Sequence, residues 1–335
     1  MKKIGCISMA VNSSWKWFQD KIENKREYEW KFYNSAPKNI FEKYIKKPNL
    51  ARLRACFSAG RDYKKGKIEI LVSHLPIYTA WSEYFSGKKK DNRFHLAFSF
   101  NFTNMPNEKQ AKFMRKQFKK VDRFTVFSNY EKNFYSKYFE IPIEKIDMIH
   151  WGVAKPEIVE MERVIKGDYV CAIGGEGRDY KTLALAAEKL PNIKFVIVAR
   201  EKNLEGINFS ENVEVYTNLP LDKTMNILKN SLFAIVPLVT RTTPCGHVTI
   251  VSAMHLGKAQ IVTYSEGVTD YIKDRETGIF TEDKNSEDMI KKIDELYNNR
   301  ELREKIEINA EKFAGEYCTE EANVRYFEDI LKYIK

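Results

Sequence analysis

Short apolar runs alternate with longer amphipathic stretches along almost all of this 335-residue chain. That alternation predicts an α/β fold of open, doubly wound parallel sheets. Two observations make it a two-domain chain. The length is enough for two cores of ordinary size. The charge also changes sign near the middle: residues 1–150 hold 31 Lys and Arg against 15 Asp and Glu, and residues 151–335 hold 25 against 31, within a net charge of +10.

Lys2 to Met9 reads as the first strand. Its basic and then apolar opening also suits the start of a signal peptide. The run soon meets Asn12, Trp15, Lys16 and Asp20, which favours a strand. Ser13 to Glu23 follows as a helix with Trp15, Phe18 and Ile22 on one face. Tyr28 to Tyr33 is the second strand. Residues 41–60 form a basic amphipathic segment, with Phe41, Tyr44, Ile45, Leu50, Leu53 and Phe57 set among Lys43, Lys46, Lys47, Arg52 and Arg54. Ile68 to Ser73 is a strand that ends at His74-Leu75-Pro76, and Ile77 to Ser86 is a short aromatic helix. Phe94 to Phe102 is a strand, residues 107–120 are a strongly basic helix, and Phe124 to Ser128 is a strand. Asn129 to Tyr138 is a Tyr-rich helix, and Ile146 to Ile149 is a strand.

A Glu- and Lys-rich linker at Ala154 to Gly167 precedes the second alternation. Tyr169 to Ile173 is its first strand, and 174–190 is a Gly-rich turn feeding a helix. Residues 192–200 are a strand, and 212–231 are a strand, a turn and a helix. The unit at 233–272 is the most informative. Phe233 to Pro237 reads as a buried strand, and a turn with Pro244, Cys245 and Gly246 follows. A helix at Thr249 to Leu256 stops at Gly257, and Ala259 to Thr263 is the next strand. A Gly-bearing turn feeding a helix N-terminus presents unpaired backbone N–H groups to an anion. ETGIF (276–280) is a turn and short strand, and helices run from Ser286 to the end, with Glu287 and Asp288 suiting the first-turn dipole.

Within 233–272 stand Pro244, Gly246, Ala253-Met254, Gly257-Lys258-Ala259 and Gly267-Val268-Thr269-Asp270, in that order. This stretch resembles the donor-binding segment of GT-B glycosyltransferases, most closely glycosyltransferase family four. Residues 121–153 resemble the last strand–helix–strand of the N-terminal domain in that family. The resemblance implies a GT-B architecture, two Rossmann-like domains facing a central cleft. It implies an acceptor-side domain over 1–153, a donor domain over 154–322 and a terminal helix, 323–335, crossing back to the first domain. It departs at two positions, where many relatives carry Glu and this chain has Pro244 and Ser252. The usual carboxylate for the ribose is missing there, and the retaining stereochemistry of the family is not carried over.

The implied activity is transfer of a sugar from a nucleotide-diphosphate donor, a UDP-sugar by preference, to a glycan or lipid-linked acceptor. Such a site needs no metal and no cofactor, because cations and helix N-termini meet the charge that grows on the leaving diphosphate. Arg178 and Lys181 lie after the second domain's first strand, where relatives carry a cationic pair; the usual Arg position is a Gly here and Arg178 replaces it from further along, and their spacing of three suggests one helical face, as phosphate ligands or a solvated surface pair. Arg241 is a further cation in the turn before Pro244. Gly246, His247 and Thr249 stand at the helix mouth, where His247 is either a phosphate or sugar ligand or a packed turn residue. Ser252 can hydrogen-bond a ribose hydroxyl. Gly175, Gly267 and Asp270 complete the donor side, and Thr217 and Asn218 fall where relatives read the nucleobase. In the first domain His74 ends a parallel strand, as a base, a sugar contact or a structural residue. Asn101 takes the position at which relatives often place a sugar-contacting His.

Composition excludes several classes. Cys6, Cys56, Cys171, Cys245 and Cys318 are scattered and form no C-x-x-C pair, against a disulfide framework or zinc site and in favour of a reducing cytoplasm. No run approaches the ~18–20 apolar residues of a spanning helix. The basic, aromatic-rich first half suits an anionic membrane surface, placing the protein peripherally on the inner face. No nucleic-acid-binding signature accompanies the charge. An inactive relative that partners an active transferase is the alternative suggested by Pro244 and Ser252.

Overall fold

The computed structural model of the chain describes residues 1–8, 17–45, 49–88, 92–157, 162–242 and 245–334. It forms two compact units, Met1–Ile149 with Asn323–Lys335, and His150–Ala322.

The first unit carries strands β1 (Lys2–Ser8), β2 (Tyr28–Asn34), β3 (Ile70–His74), β4 (Phe94–Phe98), β5 (Arg123–Val126) and β6 (Ile146–Met148). They form one parallel sheet in the order β2-β1-β3-β4-β5-β6. Its helices are α1 (Trp17–Lys21), α2 (Ile40–Tyr44), α3 (Leu50–Lys64), α4 (Pro76–Ser86), α5 (Glu108–Phe118) and α6 (Asn129–Phe139). The second unit carries β7 (Val170–Ile173), β8 (Phe195–Ala199), β9 (Val213–Thr217), β10 (Ala234–Val236), β11 (Gln260–Thr263) and β12 (Ile279–Thr281). These are also parallel, in the order β12-β11-β10-β7-β8-β9. Its helices are α7 (Tyr180–Glu188), α8 (Leu221–Asn230), α9 (His247–His255), α10 (Ser286–Asn298) and α11 (Arg300–Tyr317), and α12 (Glu320–Tyr333) ends the described chain.

Strand residues alternate between two covered faces, as wholly parallel sheets require. In the first sheet Ile4, Cys6, Ile70, Val72, Leu96 and Phe98 meet Phe18 and Ile22 and, from α12, Val324, Phe327 and Leu331. Those last three sit three and four residues apart, on one helical stripe. Ile7 and Leu71 face the other way, onto Ala55, Cys56 and Ala59 of α3 and Tyr78 of α4. In the second sheet Val170, Ala172, Phe233 and Ile235 pack under α7 and α10. The intervening Cys171, Ile173 and Ala234 meet α8 and Ala253 of α9.

Local chemistry moves several boundaries. The strand expected to reach Phe102 stops at Phe98, because Ser99 turns into the left-handed region (φ 55) and its N–H bonds Thr125 Oγ1 at 2.9 Å. Asn101 therefore lies in a turn, its N–H on Ser99 O, and not at the strand's end. The basic segment 41–60 is two helices, each started by an asparagine. Asn39 accepts from Glu42 N–H and Asn49 from Arg52 N–H, both at 2.9 Å. Lys46 and Lys47 lie outside the described residues, as do Asn12, Trp15, Lys16 and the first part of the helix expected from Ser13. The basic helix at 107–120 is α5, opened by a reciprocal capping box between Asn107 and Gln110.

Candidate active site

In an open parallel sheet, ligands bind beyond the carboxyl ends of the strands, where neighbouring connections leave in opposite directions. In the second sheet that point lies between β7 and β10, in the first between β1 and β3.

At the β7–β10 point two loops are zipped together. Asp179 N–H donates to Pro237 O at 2.8 Å and Val239 N–H to Gly177 O at 3.1 Å, so Arg178 and Leu238 form an antiparallel bridge. Asp179 then caps α7, its carboxylate accepting from Thr182 N–H and Oγ1. The cap directly follows Arg178, and the helix begins only at Tyr180. Arg178 and Lys181 are therefore not on one helical face, which corrects the reading from their spacing. Lys181 is exposed and lines a groove with Leu185, Ile207 and Phe209.

Arg178 turns instead toward α9. One η nitrogen donates to Thr249 Oγ1 at 2.9 Å and the other to Glu176 O at 3.0 Å. The guanidinium lies over Gly174, where an added Cβ would stand 2.9 Å from it. Burial pushes its pKa down, with Tyr180 and Cys245 opposing. Nε is buried without an acceptor, and among the described residues no carboxylate forms an ion pair with the group.

Gly246 (φ 93) precedes α9, and its conformation turns the chain into the helix. No side chain caps α9 among the described residues. Thr249 stands in its first turn, so the Arg178 bond brings a cation to the helix N-terminus. Thr249 is buried and also reaches Ile173 O at 3.5 Å. Ser252, one turn on and also buried, shares that helix side. Pro244 lies outside the described residues.

His247 is not at the mouth as an anion ligand. It is buried, its Nε2–H donates to Gly267 O at 2.9 Å, and its ring stands edge-on to Tyr271. Burial pushes its pKa to about 4, so it stays neutral. His150 makes a similar bond to Asp270 O at 3.1 Å, its ring also edge-on to Tyr271. The two histidines hold the turn bearing Gly267 and Asp270 by its carbonyls. Sequence reasoning missed His150; an aromatic-flanked His at a strand end carries no motif.

Arg241 also turns away. Its guanidinium stacks on Tyr264 at 5.1 Å and lies 3.6 Å from Asp283, while its carbonyl ties down Glu266 N–H and Ser265 Oγ. Thr217 ends β9 and is exposed, and Asn218 (φ 54) donates its N–H to Ala199 O, so both lie two strands from β7. Gly175 packs under Asn203, whose Oδ1 is buried without a partner and about which the sequence was silent. Tyr180, in the Arg178-Asp179-Tyr180 tripeptide, was also missed; its hydroxyl donates to Gly174 O and fixes the Gly-rich turn.

In the first unit His74 closes β3 beside the end of β1, with Ser8 Oγ 3.2 Å from Nδ1. Burial pushes its pKa to about 4. Asn101 follows β4 within the same unit. Among the described residues no group of His, Cys, Asp and Glu is arranged to hold a metal ion.

Residues 176–313 match the family described as glycosyl transferases group 1. No curated protein matches the chain. Among solved structures, a glycosyltransferase from Rickettsia africae is 15% identical, with a TM-score of 0.73 over 99% of this chain and 98% of that one. Sucrose-phosphate synthase from Thermosynechococcus elongatus is 11% identical, with a TM-score of 0.76 over 100% and 99%. HepE from Anabaena, solved in complex with UDP, is 11% identical, with a TM-score of 0.73 over 99% and 100%. At these identities the likeness speaks for the fold.

Proposed function

We propose that this chain, whose residues 176–313 match the glycosyl transferases group 1 family on a GT-B fold, transfers a sugar from a nucleotide diphosphate to a glycan or lipid-linked acceptor. The observation that carries this is Arg178: a half-buried guanidinium whose buried Nε has no acceptor, with no paired carboxylate, beside a helix N-terminus that no side chain caps among the described residues. A partly desolvated cation without a counter-ion is disfavoured, and an anionic ligand offsets that cost. A diphosphate fits, because it brings charge to both Arg178 and the first turn of α9. When the sugar–phosphate bond breaks, the added charge on the leaving oxygen meets donors already in place.

The remaining roles follow by position. Gly174, Gly175 and Gly177 let the backbone approach the phosphates. Thr249 orients Arg178, and Ser252 is offered to the ribose. Thr217 and Asn218, at the carboxyl end of β9, are the nucleobase side. Gly267 and Asp270, held by His247 and His150, take the sugar. His74, neutral and beside Ser8, serves the acceptor domain as a proton acceptor or sugar contact, with Asn101 after the neighbouring strand β4 as a further sugar contact. The donor is assigned as a UDP-sugar, in keeping with the UDP, glucose and UDP-glucose in the HepE structures. No metal takes part, and cell-surface polysaccharide or glycoconjugate synthesis at the inner membrane face is the assigned setting. The described residues include no helix long and apolar enough to cross a membrane.

A second reading, a donor-binding partner without activity, is favoured by Ser252 in place of a carboxylate. Transfer assays with UDP-, GDP-, dTDP- and CMP-sugars separate the two. Turnover of at least one donor supports the enzyme, and donor binding without transfer or hydrolysis supports the inactive partner.

A further inference from the structure

β2 stands at the edge of the first sheet, with β1 on one side and, among the described residues, no strand on the other. It runs for seven residues, Tyr28–Asn34, without proline. The ladder decides which backbone groups it leaves open. Lys3 O accepts from Glu69 N–H, so Lys3 faces β3 and its neighbour Ile4 faces β2. Ile4 lies in register with Trp30 and bonds the residues on either side of it, Glu29 and Lys31. The N–H and C=O of Trp30 and Phe32 therefore point out of the sheet. At the strand's ends the outward groups are already used: Tyr28 N–H donates to Lys25 O, and Asn34 O accepts from Arg54 Nη1 at 3.3 Å. Between them lies an open edge, a template for a further strand.

The side chains define which strand fits. Tyr28, Trp30 and Phe32 turn to the α12 side, where Trp30 and Phe32 stack at 6.2 Å, and all three are only partly buried. Glu29 and Lys31 turn to the α3 side, 54% and 51% exposed, Glu29 3.7 Å from Lys3 and Lys31 2.6 Å from Asp62. The run Tyr-Glu-Trp-Lys-Phe is aromatic, acid, aromatic, base, aromatic, and so complements its own reverse. Laid antiparallel against a second copy with Trp30 opposite Trp30, it sets Glu29 against Lys31 on one face and Tyr28 against Phe32 on the other. Opposite charges and paired rings both stabilise facing strands. The open backbone groups match as well: Trp30 exchanges both its bonds with its copy, and each Phe32 N–H reaches Tyr28 O of the other chain. Centring the pair on Glu29 or on Lys31 would face like charges, as would parallel pairing in register.

We propose that this protein forms a symmetric dimer through the outer edge of β2, joining two first-unit sheets into one. The contact is isologous, so it closes at two copies and does not grow. The far edge of the sheet, β6, is three residues long and offers little to a further chain. β1 separates β2 from β3, which ends in His74. The dimer needs neither the donor nor the acceptor assigned above.

The test is sedimentation velocity of the full chain over a micromolar concentration series, with hydrogen–deuterium exchange on the same samples. The expected result is a monomer–dimer equilibrium in which the amides of Trp30 and Phe32 exchange at least about tenfold more slowly as the dimer fills. Glu29→Lys faces lysine with lysine and should weaken the dimer at least about tenfold, and Lys31→Glu does the same with glutamate. Mixed in equal amounts, the two variants restore opposite charge at both positions and should recover association as a heterodimer. Glu29 is exposed, so its variant should keep the circular dichroism and melting temperature of the parent. Lys31→Glu also loses the ion pair to Asp62; if it does not fold, Glu29→Lys and the amide exchange decide alone. A parent that stays monomeric overturns the proposal, as does association that grows beyond two copies or survives Glu29→Lys unchanged. A dimer whose Trp30 and Phe32 amides stay unprotected, or folded variants that fail to associate on mixing, overturn it too.

Discussion

Arg178 and Thr249, 71 residues apart in sequence, meet through a hydrogen bond of 2.9 Å across the loops that follow β7 and β10. The bond ties a guanidinium whose Nε has no acceptor to the first turn of α9, which no side chain caps among the described residues. Arg178→Ala should lower kcat by about a hundredfold, on the order of 2.7 kcal/mol of transition-state stabilisation. Arg178→Lys should recover only part, because an ammonium lacks the planar fork. Lys181→Ala, on the outer groove, should leave kcat within about twofold. Steady-state kinetics on the three variants check this; an equal loss for Lys181→Ala would restore the paired-cation reading.

Thr249→Val keeps the shape of the side chain but removes the acceptor. Arg178 then loses one of its two hydrogen bonds in a buried place, which costs about 1–3 kcal/mol. The expected outcome is a KM for the donor raised about tenfold or more, with a smaller change in melting temperature than a core truncation gives.

Gly246→Ala tests the helix mouth. The backbone there has φ 93, and the new Cβ would stand 3.1 Å from Leu238 Cδ2. Strain of about 1–3 kcal/mol should lower the melting temperature. Donor affinity should fall as well, since the first N–H groups of α9 are re-aimed. A variant destabilised to that extent but binding donor normally would separate the turn from the site.

His247 is held neutral by burial, its pKa near 4 in place of 6.5. Between those values the unfolded chain binds a proton that the native chain does not. Stability from this group is therefore complete above about pH 6.5 and is lost as pH falls toward 4, on the order of 1–3 kcal/mol. Melting curves from pH 7 to 4 should fall less steeply for His247→Gln than for the parent. His74, also near 4, should leave kcat flat between about pH 5.5 and 8; a kcat titration near 6.5 that His74→Gln removes would contradict this.

Ser73, Glu83 and His95 form a buried polar network in the first unit. His95 Nδ1 lies 2.6 Å from Glu83 Oε1 and Nε2 lies 2.7 Å from Ser73 Oγ, with Lys120 3.4 Å from Glu83 Oε2. It secures β3 immediately before His74. Glu83→Gln leaves Lys120 and His95 facing a neutral partner and should cost about 3–5 kcal/mol, read as a lowered midpoint in denaturant.

The two sheets were legible in the sequence because their strands are buried on both faces and read as continuous apolar runs, as in Val170–Ile173 and Phe195–Ala199. The end of β4 was not, because nothing in Phe94–Phe102 announces a left-handed serine. The helix mouth at Gly246 was found from its Gly and the following apolar helix. The direction of a long side chain is set by partners distant in sequence, and there spacing failed. Arg178 and Lys181 diverge because Asp179 takes the cap. His247 faces Gly267, and Arg241 faces Tyr264. The basic and aromatic character of α2 was read correctly, but that Phe41 and Tyr44 face solvent while Glu42 turns to Arg54, twelve residues on, was not.

The most direct measurement is a donor titration followed by melting temperature, run in parallel on the parent chain and Arg178→Ala with the UDP-, GDP-, dTDP- and CMP-sugars. The predicted result is stabilisation of the parent by at least one donor, amounting to about 2.7 kcal/mol at a hundred times its Kd, and a Kd at least about tenfold weaker in the variant. Equal stabilisation of both proteins, or of neither by any donor at millimolar concentration, would contradict the assignment of Arg178 and the α9 terminus to a nucleotide diphosphate.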